Sequence, residues 1–364
     1  MNTMMNITSG SSPVSGSPCL AQVISVEIPR GESPQITISP AITPYSTQRP
    51  AYLEALHREF EEWYYVEDPL YLEAILTPRL AIEFKGQPYW LLVVGAPGSG
   101  KSSVIVLLIN GDPCVRDISK VTPRTFISGY NPSKEADGVT SEYDLYPKLV
   151  GKQVVVKDFS NLNTMAWKDR QQLFAILRES YDGSLSMGWG SQRDLKEYRG
   201  HFGMLVATTS AADQSSRMFN EKLGERFAKY RLRYKDREKV VKAAWDNAAR
   251  TEERDRRLRA AVRACLDNVL QHQPPPKAVV PSDIEDYIIS LADACAILRT
   301  PMRRDKGVPV GEPDPEVGSR LSEQFWKLGQ SIAYLYGHNE FGETEIAHIT
   351  KIAKDSMYAN ALMS

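Results

Sequence analysis

The chain has 364 residues, of which 24% are charged, and its 44 Lys and Arg nearly balance its 45 Asp and Glu. This balance excludes a polycation that binds nucleic acid over its whole surface, although a local basic patch would suffice for phosphate contacts. Four cysteines and five histidines occur far apart, so the sequence predicts neither a disulfide framework nor a zinc knuckle. With no membrane-spanning run and no signal pattern, we expect no membrane contact and a cytoplasmic protein.

The chain begins with two segments of contrasting composition. Residues 1–48 are rich in Ser and Pro, as in SGSSPVSGSP, and predict a disordered tail in which AQVISVEI could form one short strand. Residues 49–86 carry apolar side chains at helical spacing, as in AYLEALHREFEEWYY. We therefore expect N-terminal helices that lead into the core.

Residues 87–234 alternate short apolar segments with helical ones. YWLLVV, QVVVKDF and GMLVATT are predicted strands, and RQQLFAILRESY is a predicted helix. Strands that are apolar throughout belong to parallel sheets covered on both faces, which indicates an α/β fold. Residues 235–281 predict a charged helix and a Pro-rich linker, and residues 282–364 predict a helical domain with one Pro/Gly-rich interruption.

The segment GAPGSGKS fits the phosphate-loop pattern G-x-x-x-x-G-K-[ST] at every fixed position, between a predicted strand and a predicted helix. In this pattern Lys101 reaches the β- and γ-phosphates, and the Ser102 hydroxyl is a ligand of Mg²⁺. The alternative is a glycine turn with a chance lysine. The residues expected to surround ATP here are Gly95, Ala96, Pro97, Gly98, Ser99, Gly100, Lys101, Ser102 and Ser103.

An acidic residue follows the second predicted strand. Asp158 comes directly after VVVK and is the predicted Mg²⁺ partner on that strand, unless it merely caps the next helix. Phe159 stands where many such ATPases carry the glutamate that activates water. Glu135 and Glu179 are the substitutes that the sequence offers.

Two further segments resemble AAA+ ATPases. GMLVATTS ends in Thr208 and Thr209, where these proteins carry a polar first sensor beside the γ-phosphate. LGERFAKYRL resembles the stretch that carries the arginine finger of minichromosome-maintenance (MCM) helicases. This resemblance implies that Arg226 acts in the site of a neighbouring subunit. The alternative is an ordinary surface arginine.

The C-terminal residues extend the resemblance to the lid of the same helicases. IEDYIISLADACAILR matches one lid helix, and Arg320 falls where the second sensor arginine opens the next. The periodicity alone says only that these helices bury one face. The resemblance spans residues from about 87 to 360 and lacks the helicases' N-terminal DNA-binding domain. KDFSNLN and LRESYDGSLSMGWG also look like uncharacterised ATPases of phages and mobile elements, which would place the protein in a host cytoplasm.

A DNA-binding element is expected just before the sensor strand. In MCM-like proteins this interval holds a hairpin with a basic tip, and SLSMGWG and EYRGHFG are its predicted arms here. Arg193 and Lys196 would contact phosphates of single-stranded DNA, and Trp189 could stack on a base. The alternative is a solvated turn. The charged residues after Tyr234 mix both signs and favour a salt-bridged face over a nucleic-acid stripe.

The sequence therefore predicts an α/β AAA+ P-loop NTPase, a three-layer core with a parallel sheet plus a C-terminal helical lid bundle. It lacks the Asn-Lys-x-Asp motif of GTPases. We expect ATP-driven, helicase-like work on DNA by a homo-oligomer, as a hexameric ring. The principal alternative is an ATP-switched loader or remodeller of a protein partner, and a monomeric phosphotransferase is a third.

Overall fold

The computed structural model of this chain describes residues 48–127, 144–159, 162, 164–187, 196–210, 223, 226–300 and 317–357, and the backbone of four further short strands. Its strands are β1 (Ile24–Glu27), β2 (Gln35–Ile38), β3 (Trp90–Gly95), β4 (Val115–Asp117), β5 (Gln153–Val156), β6 (Ser184–Met187), β7 (Lys196–Arg199), β8 (Gly203–Thr209), β9 (Ala228–Leu232), β10 (Arg304–Asp305) and β11 (Val308–Pro309).

The described helices fall into a group before β3, a group between the strands and a group after β9. They are α1 (Ala51–Trp63), α2 (Tyr71–Ala81), α3 (Lys101–Ile105), α4 (Pro123–Phe126), α5 (Tyr146–Leu149), α6 (Trp167–Tyr181), α7 (Arg237–Asp246), α8 (Thr251–Leu270), α9 (Ser282–Arg299), α10 (Ser319–Tyr336) and α11 (Glu343–Ser356).

Five parallel strands form the central sheet, in the order β4-β5-β8-β3-β9. Side chains of β3 alternate between its faces: Leu91 and Val93 pack with α2, α3, α10 and α11, whereas Trp90, Leu92 and Val94 pack with α4, α5 and α6. Both faces are thus buried under helices, as the apolar strands predicted. The α/β class and the parallel sheet are confirmed.

Because the five strands are parallel, they all begin at one side of the sheet, here called the amino edge, and all end at the opposite side, the carboxyl edge. The carboxyl edge holds the ends of β3, β5 and β8, and the amino edge holds their beginnings. Six residues of β3, at roughly 3.3 Å each, separate the edges by about 16 Å. Groups held at opposite edges are therefore separated by about the length of a strand.

The strand β9, which lies at the border of the sheet beside β3, was not predicted from the sequence. Ala228, Tyr230 and Leu232 alternate with Lys229 and Arg231, which is the period-2 pattern of a strand. β4 was also missed, because three residues carry too short a pattern to recognise.

Helices from both ends of the chain share one hydrophobic core with a face of the sheet. α10 packs against α2, and α11 packs against β9. The core joins Leu53 of α1, Leu266 of α8 and Phe325 of α10, all of them buried. The predicted lid at 282–364 is thus continuous with the packing of the N-terminal helices. Among the described residues, no helix has the length and apolar character that crossing a bilayer requires.

The charged segment after β9 forms two helices rather than one, and the second, α8, lies on α1. Arg257 pairs with Glu59 at 2.7 Å and with Glu62 at 2.6 Å, and its guanidinium lies over the Trp63 ring. The prediction of a salt-bridged face is confirmed. Arg250 is likewise engaged by α1, since it lies 3.8 Å from Glu62 and over the Trp63 ring.

Candidate nucleotide-binding site

The predicted phosphate loop connects β3 to α3 at the carboxyl edge of the sheet. Gly95 ends β3, and a Cβ atom at this position would lie 2.9 Å from the Ser99 hydroxyl oxygen. Gly100 has φ of +78° and begins α3, a conformation that L side chains rarely adopt. The turn therefore requires glycine at position 100, whereas a side chain at position 95 would fit only if the Ser99 hydroxyl moved aside.

Lys101 lies in the first turn of α3 and folds back over the loop. Its Nζ donates a hydrogen bond of 3.0 Å to the Ala96 carbonyl, and the residue is buried. Burial lowers the pKa of Lys101, and the nearby Asp158 carboxylate partly opposes this shift. A partly desolvated ammonium group attracts phosphate more strongly than one surrounded by water.

Ser99 supplies the most direct test of whether the loop fits an anion. Its hydroxyl oxygen is buried and has no hydrogen-bond partner among the described residues. A buried, unpaired hydroxyl costs about 1–3 kcal/mol, a cost that an added acceptor removes. A phosphate oxygen placed in the loop is such an acceptor, so the residues present fit a bound phosphate group.

Oxygen groups suited to Mg²⁺ lie beside the loop at the end of β5. The Ser102 hydroxyl donates a 3.0 Å hydrogen bond to the Lys157 carbonyl, and the exposed Asp158 carboxylate follows directly in the chain. Mg²⁺ is usually held by one or two such groups together with water and substrate phosphates. In the part of the chain that the structure describes, no cluster of three or more His, Cys, Asp or Glu forms a dedicated metal centre.

The predicted sensor residues lie next to the loop. β8 pairs with β3 in a register that puts Thr208 opposite Val94 and Thr209 opposite Gly95. The strand carrying them lies between the loop strand and the strand that precedes Asp158. Lys101, Ser102, Asp158 and the two threonines are thus brought together at one edge.

The residue that would activate water was not identified among the candidates. Phe159 is buried in the core, and its N–H donates 2.9 Å to the Ala207 carbonyl. Glu179 belongs to the last turn of α6, where it accepts a hydrogen bond from the Ser186 N–H of β6. The end of α6 lies at the amino edge, away from the loop, so this position does not suit Glu179 to activate water at the loop of its own chain. Glu135 lies outside the described residues.

Arg226 lies at the amino edge, two residues before β9. Its guanidinium donates hydrogen bonds of 2.7 Å to the Asp182 carboxylate and of 3.1 Å to the Leu223 carbonyl. It also lies 5.7 Å from the centre of the Tyr181 ring. Tyr181 in turn packs edge-on against Trp90 at the start of β3. Arg226 is therefore about a strand length away from its own loop.

Arg320 does not lie where a sensor of its own subunit's γ-phosphate would have to be. One turn later in α10, Gln324 donates 2.9 Å to the Tyr181 hydroxyl, and Arg320 acts electrostatically on the same phenol. Arg320 therefore belongs to the amino edge, beside Arg226. The prediction that Arg320 contacts the nucleotide bound by its own loop does not fit this position.

The predicted hairpin before the sensor strand is present. β6 and β7 pair antiparallel, with Met187 opposite Lys196, between α6 and β8. Lys196 thus belongs to the second arm. Trp189 and Arg193 lie outside the described residues, and their predicted contacts with DNA stay predictions.

A cavity beside the loop was not anticipated from the sequence. Tyrosines from the end of α1, the start of α2 and the end of β9 line it together with Ser99 and Gly100. The segment containing Tyr64 and Tyr65 was interpreted only as helical. Two adjacent tyrosines directly after an amphipathic helix were the available signal.

Comparison with known proteins adds nothing to this geometry. Neither a protein-family model nor a curated protein matches the chain. The interpretation of the site therefore depends on its own residues and their arrangement.

Proposed function

We propose that the chain binds ATP with Mg²⁺ at the phosphate loop and hydrolyses it. The observation that carries this proposal is the convergence of Lys101, Ser102, Asp158 and Thr208 at the carboxyl edge. The loop N–H groups and Lys101 hold the phosphates, and Ser102 and Asp158 hold the ion. Mg²⁺ would neutralise charge on the phosphates. Thr208 and Thr209 supply hydroxyls beside the γ-phosphate.

The enzyme acts as an oligomer in this proposal. Because Arg226 and Arg320 both act on Tyr181 at the amino edge, about a strand length from the loop edge of their own chain, we assign any nucleotide that they contact to a neighbouring subunit. A head-to-tail contact repeated from subunit to subunit closes into a ring when the rotation between neighbours closes, and gives an open filament otherwise. An AAA+ hexamer is the form that the sequence resemblance favours.

The proposed work of this ring is on single-stranded DNA. The support is the β6–β7 hairpin, which occupies the interval predicted for a channel-facing element and contains Lys196. The alternative is a remodeller of a protein partner, which needs no basic residues on that hairpin. The ATPase rate with and without single-stranded DNA separates the two functions.

The first expected result concerns the loop lysine. Lys101→Ala should abolish tight ATP binding, because it removes the only fixed positive side chain of the phosphate-loop motif. Titration with a fluorescent ATP analogue measures the affinity. Lys85→Ala, an exposed lysine at the amino edge, is the matched control and should bind as the wild type does. Equal affinities for all three proteins would rule out the nucleotide site.

A second expected result concerns the hairpin. Replacing Arg193 and Lys196 together by alanine should flatten the plot of log affinity for single-stranded DNA against log salt by roughly 0.7 per lost phosphate contact. DNA stimulation of the ATPase should disappear while basal hydrolysis persists. The charge-matched control replaces Arg237 and Lys242, both exposed on α7. If the two double variants give the same slope as the wild type, the remodeller alternative is favoured.

A further inference from the structure

Arg226 is held inside its own subunit, although its proposed action is on a neighbour. Only 6% of the residue is exposed. Its guanidinium pairs with Asp182, which directly follows α6, and lies over the Tyr181 ring. A group buried to this extent makes no contact with another subunit. Arg226 must therefore leave these contacts before it can reach a nucleotide held elsewhere.

The two partners of this ion pair are buried to very different extents. The side chain of Arg226 is 8% exposed, whereas that of Asp182 is 44% exposed. Water already reaches the carboxylate, so opening the pair does not leave a buried, uncompensated charge on Asp182. Ion pairs with such access to solvent contribute little free energy. The contact is therefore reversible.

A second buried arginine shows the features of a permanent arginine contact in this chain. Arg79 binds two carboxylates, those of Asp112 and Glu83. The Asp112 side chain is itself buried, so opening that pair would leave a charge without water or partner. In the described part of the chain, Arg226 pairs with one carboxylate instead of two, and that carboxylate is open to solvent.

The buried position also leaves part of the Arg226 guanidinium unsatisfied. Its Nε is buried and has no hydrogen-bond partner among the residues that the structure describes. A buried donor without an acceptor opposes the position that it occupies. Phosphate oxygens, in contrast, accept two parallel hydrogen bonds from one guanidinium. A phosphate group offered by another subunit is thus a better partner than the contacts that Arg226 has in its own chain.

We propose that Asp182 and Arg226 form a latch, which withdraws the guanidinium in an isolated subunit and opens when a neighbouring subunit presents the phosphates of its nucleotide. This inference rests on the proposed function, because the new partner of Arg226 is the nucleotide held by a neighbour's loop. It adds regulation to that site. The arginine becomes available only on assembly, so hydrolysis is confined to assembled subunits.

The size of the effect follows from the fraction of subunits whose latch is open. A state that is populated only in part lowers the apparent strength of any binding that requires it, in proportion to that population. Asp182→Asn removes the charge of the latch and keeps the arginine. The open fraction should rise about 2- to 5-fold, the equilibrium factor of one partly exposed ion pair.

Chemical modification measures this fraction without ATP. Phenylglyoxal reacts with accessible guanidinium groups, and mass spectrometry of the peptide containing Arg226 gives its rate in dilute, nucleotide-free protein. The rate should be about 2- to 5-fold higher in Asp182→Asn than in the wild type, and Asp182→Glu, which keeps the carboxylate, should restore the slower rate. Asp169→Asn, at an exposed position in the first turn of α6, is the matched control and should react as the wild type does. Equal rates in Asp182→Asn and the wild type would overturn the latch.

Hydrolysis tests whether the latch controls activity that depends on assembly. Over a series of protein concentrations, Asp182→Asn should reach half of its maximal rate per subunit at an about 2- to 5-fold lower concentration, because less binding free energy is used to open the latch. An unchanged midpoint would overturn the regulatory role. If Arg226→Ala hydrolyses ATP as fast as the wild type, the proposed role in trans itself fails. That result is distinct from failure of the latch alone, in which Arg226→Ala is inactive and Asp182→Asn behaves as the wild type.

Discussion

Replacing Arg226 by alanine is expected to leave ATP binding nearly intact and to slow hydrolysis on the order of a thousandfold, the scale of arginine fingers. The binding should persist because Arg226 lies at the amino edge, away from the loop of its own chain. The hydrolysis should fall because the guanidinium would no longer stabilise charge on the phosphates held by a neighbouring subunit. Nucleotide titration and steady-state phosphate release measure the two effects.

The alternative explanation for a loss of hydrolysis in Arg226→Ala is a disturbed fold. The ion pair between Arg226 and Asp182 allows this explanation to be tested. Arg226 is buried and its 2.7 Å contact with Asp182 helps to hold the end of α6, so its removal also affects stability. Asp182→Asn weakens the same contact while keeping the arginine. A finger predicts that Asp182→Asn retains hydrolysis, whereas a purely structural role predicts parallel losses of stability and hydrolysis in both variants.

Mixed oligomers show whether Arg226 acts across an interface. Arg226→Ala and Lys101→Ala proteins should each be inactive alone and should recover part of the activity when combined. Recovery is expected because some interfaces then pair an intact loop with an intact arginine. If mixed assemblies form, as judged by co-purification of differently tagged chains, and remain inactive, a role of Arg226 in trans is refuted.

The parts of the site that the sequence predicted are those encoded by adjacent residues. The glycines, Lys101 and Ser102 belong to one continuous motif, and Asp158 and Thr208 follow apolar strands whose ends meet because the strands are parallel. Local pattern and sheet geometry are sufficient for these positions.

The parts that the sequence did not predict depend on contacts between distant segments. Arg320 opens a helix as predicted, but the edge of the sheet that it faces is set by packing of α10, including the hydrogen bond from Gln324 to Tyr181. The cavity beside the loop joins residues from distant parts of the chain, such as Tyr65 and Tyr234. The spacing of apolar residues within one segment does not show which distant segments it packs against.

The position of Glu73 in the sequence gives no indication that its side chain is buried. It lies in the first turn of α2, a common place for a solvated acidic residue, yet it is completely buried. Its partners come from α1, the segment before it and the two last helices. The contacts are Arg49 at 2.8 Å, His57 at 2.9 Å, Tyr336 at 2.9 Å and His348 at 2.8 Å.

Removing the charge of Glu73 is expected to destabilise the fold strongly. Glu73→Gln keeps the shape of the side chain but leaves Arg49 and the buried His348 without their counterion. Loss of one partner from a buried ion pair costs about 3–5 kcal/mol, a large share of the roughly 5–15 kcal/mol that stabilises a typical domain. Urea unfolding followed by circular dichroism measures the change.

An exposed glutamate provides the control for this substitution. Glu54→Gln on α1 makes the same chemical change at the surface and should alter the free energy of unfolding by no more than about 0.5 kcal/mol. Similar free energies of unfolding for the two variants would show that the buried cluster contributes nothing beyond an ordinary surface charge.

The protonation of His348 follows from its two partners. Its Nδ1 lies 2.8 Å from the Thr344 carbonyl, which can only accept, and its Nε2 lies 2.8 Å from the Glu73 carboxylate. The Thr344 carbonyl can only accept, so Nδ1 carries a hydrogen, and the Glu73 carboxylate favours a second proton on Nε2. Burial alone would lower the pKa of His348, but the Glu73 carboxylate outweighs it and raises this pKa above its usual value.

The carboxyl of Glu73 shifts in the opposite direction. Burial alone would raise the pKa of Glu73, but hydrogen bonds from His348, His57 and Arg49 hold it well below its usual range. The stabilisation from Glu73 is therefore present above an unfolded-state pKa of about 4.3 and is lost only in stronger acid. The other ionisable groups facing this cluster are Tyr336, Cys265 and Glu345.

Stability should consequently fall as the pH rises above about 6.5. Folded His348 holds its proton more tightly than the unfolded chain does, so its contribution is complete below the unfolded pKa of about 6.5 and is lost as the pH passes the raised folded value. The slope is at most about 1.4 kcal/mol per pH unit for one proton. Unfolding free energies from pH 5 to 9 should therefore decline in the wild type more steeply than in His348→Gln. Parallel curves for the two proteins would mean that the ring is neutral in the folded state, and that the Glu73 carboxylate depends on Arg49 for its compensating charge.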